Sequence, residues 1–257
     1  MSNIISQLQK ILDRLADILL PKEKKVKYLE QLGPDGLFEK IPRAENFDFE
    51  TDKFKVIFNY KSALCRQAIW EIKYRANKKL IHDFSLLLYE FILEELSDLE
   101  TFHNFKNIIL IPVPSSKSRV REKGFNQCQL ICQELIRIDQ DHLCQGPSLT
   151  QPTFTLAENL LIKKENTARQ SKTKSRKERL ENLRGTFSVI PAKAGIHSEH
   201  NLTPTLSLTK ERGKTDLHNH SFILIDDVIT TGATMAESVR ALKEAGAHKI
   251  IGFALAH

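Results

Sequence analysis

Residues 221–234 read SFILIDDVITTGAT. Phe222 to Ile225 form an unbroken apolar run that stops at two adjacent carboxylates, Asp226 and Asp227. Val228 and Ile229 then lead into Thr230-Thr231-Gly232-Ala233-Thr234, and a helical pattern opens at Met235. An apolar run without polar alternation suits a central parallel strand covered on both faces. Open α/β sheets bind ligands at the carboxyl ends of their strands, where this stretch places its polar residues. A Thr/Gly-rich turn that opens a helix presents N–H groups to a phosphate. The plain alternative is a buried strand that ends in two solvated aspartates. A P-loop hydrolase would also carry an apolar strand ending in Asp, but it requires G-x-x-x-x-G-K-[ST]. Gly213-Lys214-Thr215 has Leu208 where the first glycine belongs, so that reading fails.

The flanks extend this unit. Met235 to Ala245 reads as a helix with Met235, Val239 and Leu242 inward and Gly246 as its C-terminal cap. Thr234 to Glu237 fits a capping box, which explains Glu237 as a cap. Lys249 to Leu255 is a last strand, so strand, phosphate turn, helix and strand make one βαβ unit. A second parallel strand is expected over Ile108 to Val113, ended by Pro112 and Pro114. A helix follows from about Asn126 to Arg137, with Phe125, Cys128, Ile131, Cys132 and Leu135 on one face. Cys128 and Cys132 stand at i,i+4 spacing, but no further ligands sit at familiar distances, which favours core packing over a metal.

Earlier in the chain, Lys55 to Tyr60 reads as a short strand and Ala63 to Leu99 as two helices. The first contains Trp70, the one tryptophan, best explained as part of a core helix with snorkelling basic ends. Residues 3–20 form an amphipathic helix ended by Pro21, and residues 21–53 are charged and irregular, with a turn at Gly33-Pro34-Asp35-Gly36.

Composition sets the class. The chain has 257 residues, 41% hydrophobic and 27% charged, with a formal charge of +6. Such a balance favours anionic partners, phosphorylated substrates or nucleic acid alike. No apolar run reaches the roughly 18–20 residues of a membrane span, and Asp13, Arg14 and Asp17 break any secretory signal. Four scattered cysteines make no disulfide framework, so a reducing cytoplasm is the expected setting. From Lys163 to Arg184 the chain turns basic, as a mobile loop able to close over polyphosphate would. Residues 190–220 lack either periodicity and read as an irregular insertion; metal binding by His197, His200, His218 and His220 is disfavoured there.

The 222–234 stretch resembles the 5-phosphoribosyl 1-pyrophosphate motif of type I phosphoribosyltransferases. The Ile111-Pro112-Val113-Pro114 strand, Arg119 to Gln127, the Thr167, Gln170, Arg179, Asn182, Phe187 series and the Arg66, Ile69, Lys73, Tyr74 helix resemble, in order, motifs of the competence-associated ComF family. The resemblance implies a parallel α/β sheet flanked by helices, with a helical N-terminal appendage. It divides the chain into an N-terminal segment, 1–62, and a phosphoribosyltransferase-like domain, 63–257. It implies that Asp226 and Asp227 hold the ribose hydroxyls and serve as the catalytic pair. Thr230, Thr231, Gly232, Ala233 and Thr234 would wrap the 5′-phosphate. Arg119, Arg121 and Lys123 are the candidates for pyrophosphate, with Mg²⁺ carried by the substrate and not by protein side chains. The family's zinc-binding segment is not expected, because residues 1–62 contain no cysteine. Lys123 stands where arginine is common and lacks its bidentate geometry. Two functions follow from the resemblance: phosphoribosyl transfer to an acceptor, or an accessory role in DNA uptake through single-stranded DNA or a helicase partner. An oligomer is compatible with either.

Overall fold

The protein is described by a computed structural model over residues 22–44, 54–103, 107–145, 154–164, 183–190, 210–211, 214–215 and 217–257. The expected helix over residues 3–20 lies outside these residues. In chain order the elements are α1 (Lys22–Lys40), β1 (Phe54–Phe58), α2 (Ala63–Arg75), α3 (Lys78–His103), β2 (Ile108–Pro112), α4 (Lys117–Lys123) and α5 (Gln127–Gln145). Then follow β3 (Phe154–Leu156), β4 (Leu161–Lys163), β5 (Phe187–Val189), β6 (Lys210–Glu211), β7 (Lys214–Thr215), β8 (Ser221–Val228), α6 (Ala233–Glu244) and β9 (Lys249–Ala256).

Strand β8 is central because both of its faces are apolar. Five parallel strands run in the order β1-β9-β8-β2-β3. Along β8, Ile223 and Ile225 enter one hydrophobic core while Phe222 and Leu224 enter the other. Strand β2 divides in the same way, Ile108 and Leu110 to one side, Ile109 and Ile111 to the other. Period-two alternation through two cores requires a covering layer on each face. On the first face these are helices α1, α2, α3 and α5, through Leu29, Ile69, Ile72, Phe84, Ile131 and Leu135. On the second lies α6, through Met235, Val239 and Leu242. This three-layer α/β architecture with a parallel five-stranded sheet is of the type I phosphoribosyltransferase kind.

Several expectations need correction. Residues 22–40 are helical, not irregular, with a break at Gly33, whose φ of 63° lets the first helical stretch end and Pro34 begin the next. Leu29, Leu37 and Ile41 are buried from this region, a thin apolar stripe hidden in the sequence by its lysines. Strand β1 lies ahead of the expected division at 62/63 yet is hydrogen-bonded to β9, so the sheet begins before that boundary. Helix α5 continues past Arg137 because Ile136 and Ile138 remain buried and Arg137 bridges Glu134 and Asp141. Leu217, placed in the insertion by the sequence, is fully buried, while residues 191–209 lie outside the described set. The capping box at Thr234 is not formed. Helix α6 opens at Ala233 after Gly232, whose φ is 73°, with no side-chain cap.

Candidate functional site

Strand β8 delivers Asp226 and Asp227 to the carboxyl edge of the sheet, where the next residues turn sharply away. Val113 N–H donates to Ile225 O (2.9 Å) and Ile229 N–H to Ala256 O (2.9 Å), which holds the edge from both sides. Gly232 takes the left-handed conformation that a side chain would resist, and so turns the chain into the first turn of α6. Residues 226 and 228–235 line a small, open hollow. First-turn N–H groups of a helix have no carbonyl one turn back, and they carry the positive end of the helix dipole. Thr230 to Thr234 all line this hollow.

The motif after β2 is also explained by local bonds. Ser116 caps α4 by accepting Arg119 N–H (3.4 Å), and Gly124, at φ 84°, ends it. Asn126 then ties the strand to the next helix. Its Oδ1 accepts Cys128 N–H (3.2 Å) and its Nδ2 donates to Val113 O (3.2 Å). That brings Cys128 under the carboxylates, with Sγ donating to Asp226 Oδ1 (3.5 Å). Cys132, one turn on, enters the core beside Ile131 and Leu135 instead. The two cysteines do not converge.

Burial, followed by the negative charge of Asp227, pushes Asp226 up to about 8. Burial, followed by both aspartates, also drives the Cys128 thiol well above its ordinary range, so it is a neutral donor and not a nucleophile. Asp227 is compensated differently: Lys73 Nζ from α2 lies 3.0 Å from its Oδ2. Burial would lower Lys73, but the Asp227 charge outweighs it and the ammonium is held above its usual value. Burial, Lys73 and Arg119 lower Lys123 against the pull of Asp227. Burial and Arg119 likewise lower Lys163 against the pull of Asp226. Lys73 thus contacts Asp227 directly, Lys123 and Lys163 lie within electrostatic reach of Asp227 and Asp226 respectively, and Arg119 lies within reach of both lysines.

Of the three expected pyrophosphate residues, Arg119 and Lys123 are four apart on α4 and share a face. Arg121 is two residues from each, about 200° round the helix, and the structure does not bring it to the carboxylates. Lys73 was carried in the sequence only as part of a motif, and its role as the Asp227 partner was missed. Trp70 is also not a core residue. It is 38% exposed, its ring 5.5 Å from that of Tyr74.

The basic run between Lys163 and Arg184 leaves from one hairpin. Strands β4 and β5 pair antiparallel, Lys163 opposite Phe187, and Lys164 N–H donates to Thr186 O (2.7 Å). Glu237, buried on α6, accepts the Gly185 N–H and pairs with Arg240 (2.7 Å). It anchors this hairpin to the phosphate-turn helix, the role that replaces capping. Residues 165–182, with Thr167, Gln170, Arg179 and Asn182, lie outside the described set.

An acidic pair and a Thr/Gly turn at the carboxyl edge of a parallel sheet are arranged as in a phosphoribosyltransferase-like protein. The family model of the phosphoribosyl transferase domain matches residues 165–257. The chain is also similar to Competence protein ComFC of Bacillus subtilis (strain 168), 27% identical over 190 residues. That match covers 74% of this chain and 58% of the relative, under two thirds of its length. Together these findings show a chain similar to the phosphoribosyl transferase domain over residues 165–257 and, more broadly, to a ComF-type competence protein.

Proposed function

We propose that the chain binds 5-phosphoribosyl 1-pyrophosphate with Mg²⁺ and can transfer the phosphoribosyl group to an acceptor. The observation that carries this reading is the buried Asp226–Asp227 pair abutting the hollow lined by Thr230 to Thr234. The carboxylates would orient the ribose hydroxyls, and the turn would take the 5′-phosphate through backbone N–H groups. Arg119 and Lys123 would face the pyrophosphate, whose growing charge in the transition state calls for fixed cations nearby. Lys73, 3.0 Å from Asp227 Oδ2, gives that buried carboxylate a cationic partner.

Magnesium fits only as a substrate-borne ion. Cys128 Sγ and one oxygen from each aspartate lie within 4.8 Å of one another. A soft, protonated thiol and two carboxylates, one already paired with Lys73, are too few for an all-protein Mg²⁺ cage. Bound with the substrate, the ion would neutralise pyrophosphate oxygens. On this reading the unit would run through 257 from the region of β1, in the cytoplasm, where such phosphorylated sugars are made.

Calorimetric titration with 5-phosphoribosyl 1-pyrophosphate and Mg²⁺ tests the proposal. Wild type is expected to bind and Asp226→Asn/Asp227→Asn to lose most of that affinity. Silence from wild type overturns it. A second reading rests on the competence-protein relative and the exposed Lys117, Arg119 and Arg121 of α4: an accessory protein of DNA uptake that binds single-stranded DNA or a helicase partner. It predicts oligonucleotide binding that falls steeply with salt and with Arg121→Ala, a change that should spare the sugar-phosphate seat.

A further inference from the structure

Helix α2 presents Trp70, Lys73 and Tyr74 on one side, since positions 0, +3 and +4 of a helix are neighbours. Lys73 reaches Asp227, so this side faces the carboxylate end of the sheet. Trp70 and Tyr74 are large aromatics left 38% and 51% exposed, with ring centroids 5.5 Å apart. Each also lies against a cation: the Arg75 guanidinium is 5.1 Å from the Trp70 centroid and Lys123 Nζ is 4.5 Å from that of Tyr74. Lys123 is also one of the cations coupled to Asp227. Tyr74 thus directly follows the residue that contacts Asp227 and lies against Lys123, and Trp70 lies against Tyr74.

We propose that Trp70 and Tyr74 form a second subsite, contiguous with the sugar-phosphate seat, that receives a planar heteroaromatic ring attached to or attacking the ribose. This rests on the sugar-phosphate reading above and names the missing acceptor end. Two features argue for such an occupant over an apolar peptide. Both rings lie against cations, Lys123 at Tyr74 and Arg75, itself paired with Glu71, at Trp70, which suits a ring edged with carbonyl oxygens and ring nitrogens over aliphatic side chains. Exposed aromatic faces stack on any nucleobase-like ring without needing a matched hydrogen-bond pattern.

The chain's one tryptophan makes the subsite directly readable. Full-length protein would be titrated with ribose 5-phosphate and with the four common ribonucleoside 5′-monophosphates, by calorimetry and by tryptophan emission. Ribose 5-phosphate should bind without changing the emission. At least one nucleotide should bind about tenfold tighter, with saturable quenching, the increment expected of one stacked base. Trp70→Ala and Tyr74→Ala should each remove most of that increment while leaving ribose 5-phosphate affinity unchanged. Nucleotides no tighter than ribose 5-phosphate, with emission unaltered, overturn the subsite and leave the seat standing. Failure of ribose 5-phosphate itself to bind overturns the seat and this subsite with it. Equal nucleotide affinity in the Tyr74→Ala and wild-type proteins would also overturn it.

Discussion

Replacing Lys73 by methionine keeps the stem of the side chain and removes the charge that faces Asp227. At 3.0 Å, two unit charges attract by about 5–6 kcal/mol if the effective dielectric constant is ~20. The Lys73 side chain is 28% exposed and that of Asp227 only 4%. Water therefore recovers part of the loss on one partner and almost none on the other. A net destabilisation of about 2–4 kcal/mol is expected at pH 8, in line with breaking a largely buried pair. The Lys73 ammonium has its pKa raised in the fold. Its contribution is complete below the unfolded value near 10.5 and is lost only above the folded one, so it is constant between pH 5 and 8. Urea unfolding of both proteins should therefore show this gap at pH 8 and keep it at pH 6. No gap at pH 8 would refute the role given to Lys73.

Asp226, raised to about 8 by burial and by Asp227, holds its proton in the folded protein after the unfolded chain has lost it. Stability should fall as pH rises from about 4 towards 8, by up to roughly 1.4 kcal/mol per unit. Asp226→Asn should flatten that profile in thermal melts; an unchanged slope contradicts the assignment. Arg119→Ala should weaken calorimetric binding of inorganic pyrophosphate about tenfold, whereas Arg121→Ala should not alter it. Equal effects would show that the α4 face has been misread. A Cβ at Gly252 would lie 2.9 Å from Met235 Sδ and 2.9 Å from Phe54 Cδ1. Gly252→Ala is thus expected to lower the urea midpoint by an amount equal to about 1–3 kcal/mol.

The strand–turn–helix from Phe222 onward was legible because its chemistry is contiguous: an apolar run, two carboxylates and a turn all within one stretch. Asp226, Asp227 and Thr230 to Thr234 needed no long-range information to be grouped. Lys73, Cys128 and Lys163 did, since each comes from a different element and meets the carboxylates only through the order of the sheet. Cys128 was especially hidden, since its helical spacing with Cys132 describes a core face equally well. Arg121 was grouped with Arg119 and Lys123 by sequence proximity. The short helix α4, invisible as a pattern of apolar residues, is what separates them. Glu237 fitted a capping rule that put the N-cap at Thr234, two residues after Gly232, which enters the helix by backbone conformation alone.

The order of strands bears on how the molecule comes to be folded at all. β8, the middle of the sheet, is next to last in the chain, and one of its neighbours, β2, pairs with it as Ile108 against Ser221. At the opposite edge β1 pairs with β9, Phe54 against Gly252, the one strand beside it among the described residues apart from an isolated bridge from Arg43 to Phe58. Until β8 and β9 are available, β1 has no strand to pair with and β2 has only β3. Parallel pairings at such separations close slowly, because loop entropy is lost before the contacts form. Synthesis from the N-terminus would therefore leave apolar strand edges unsatisfied until β8 and β9 emerge, the condition under which a nascent chain is exposed to aggregation.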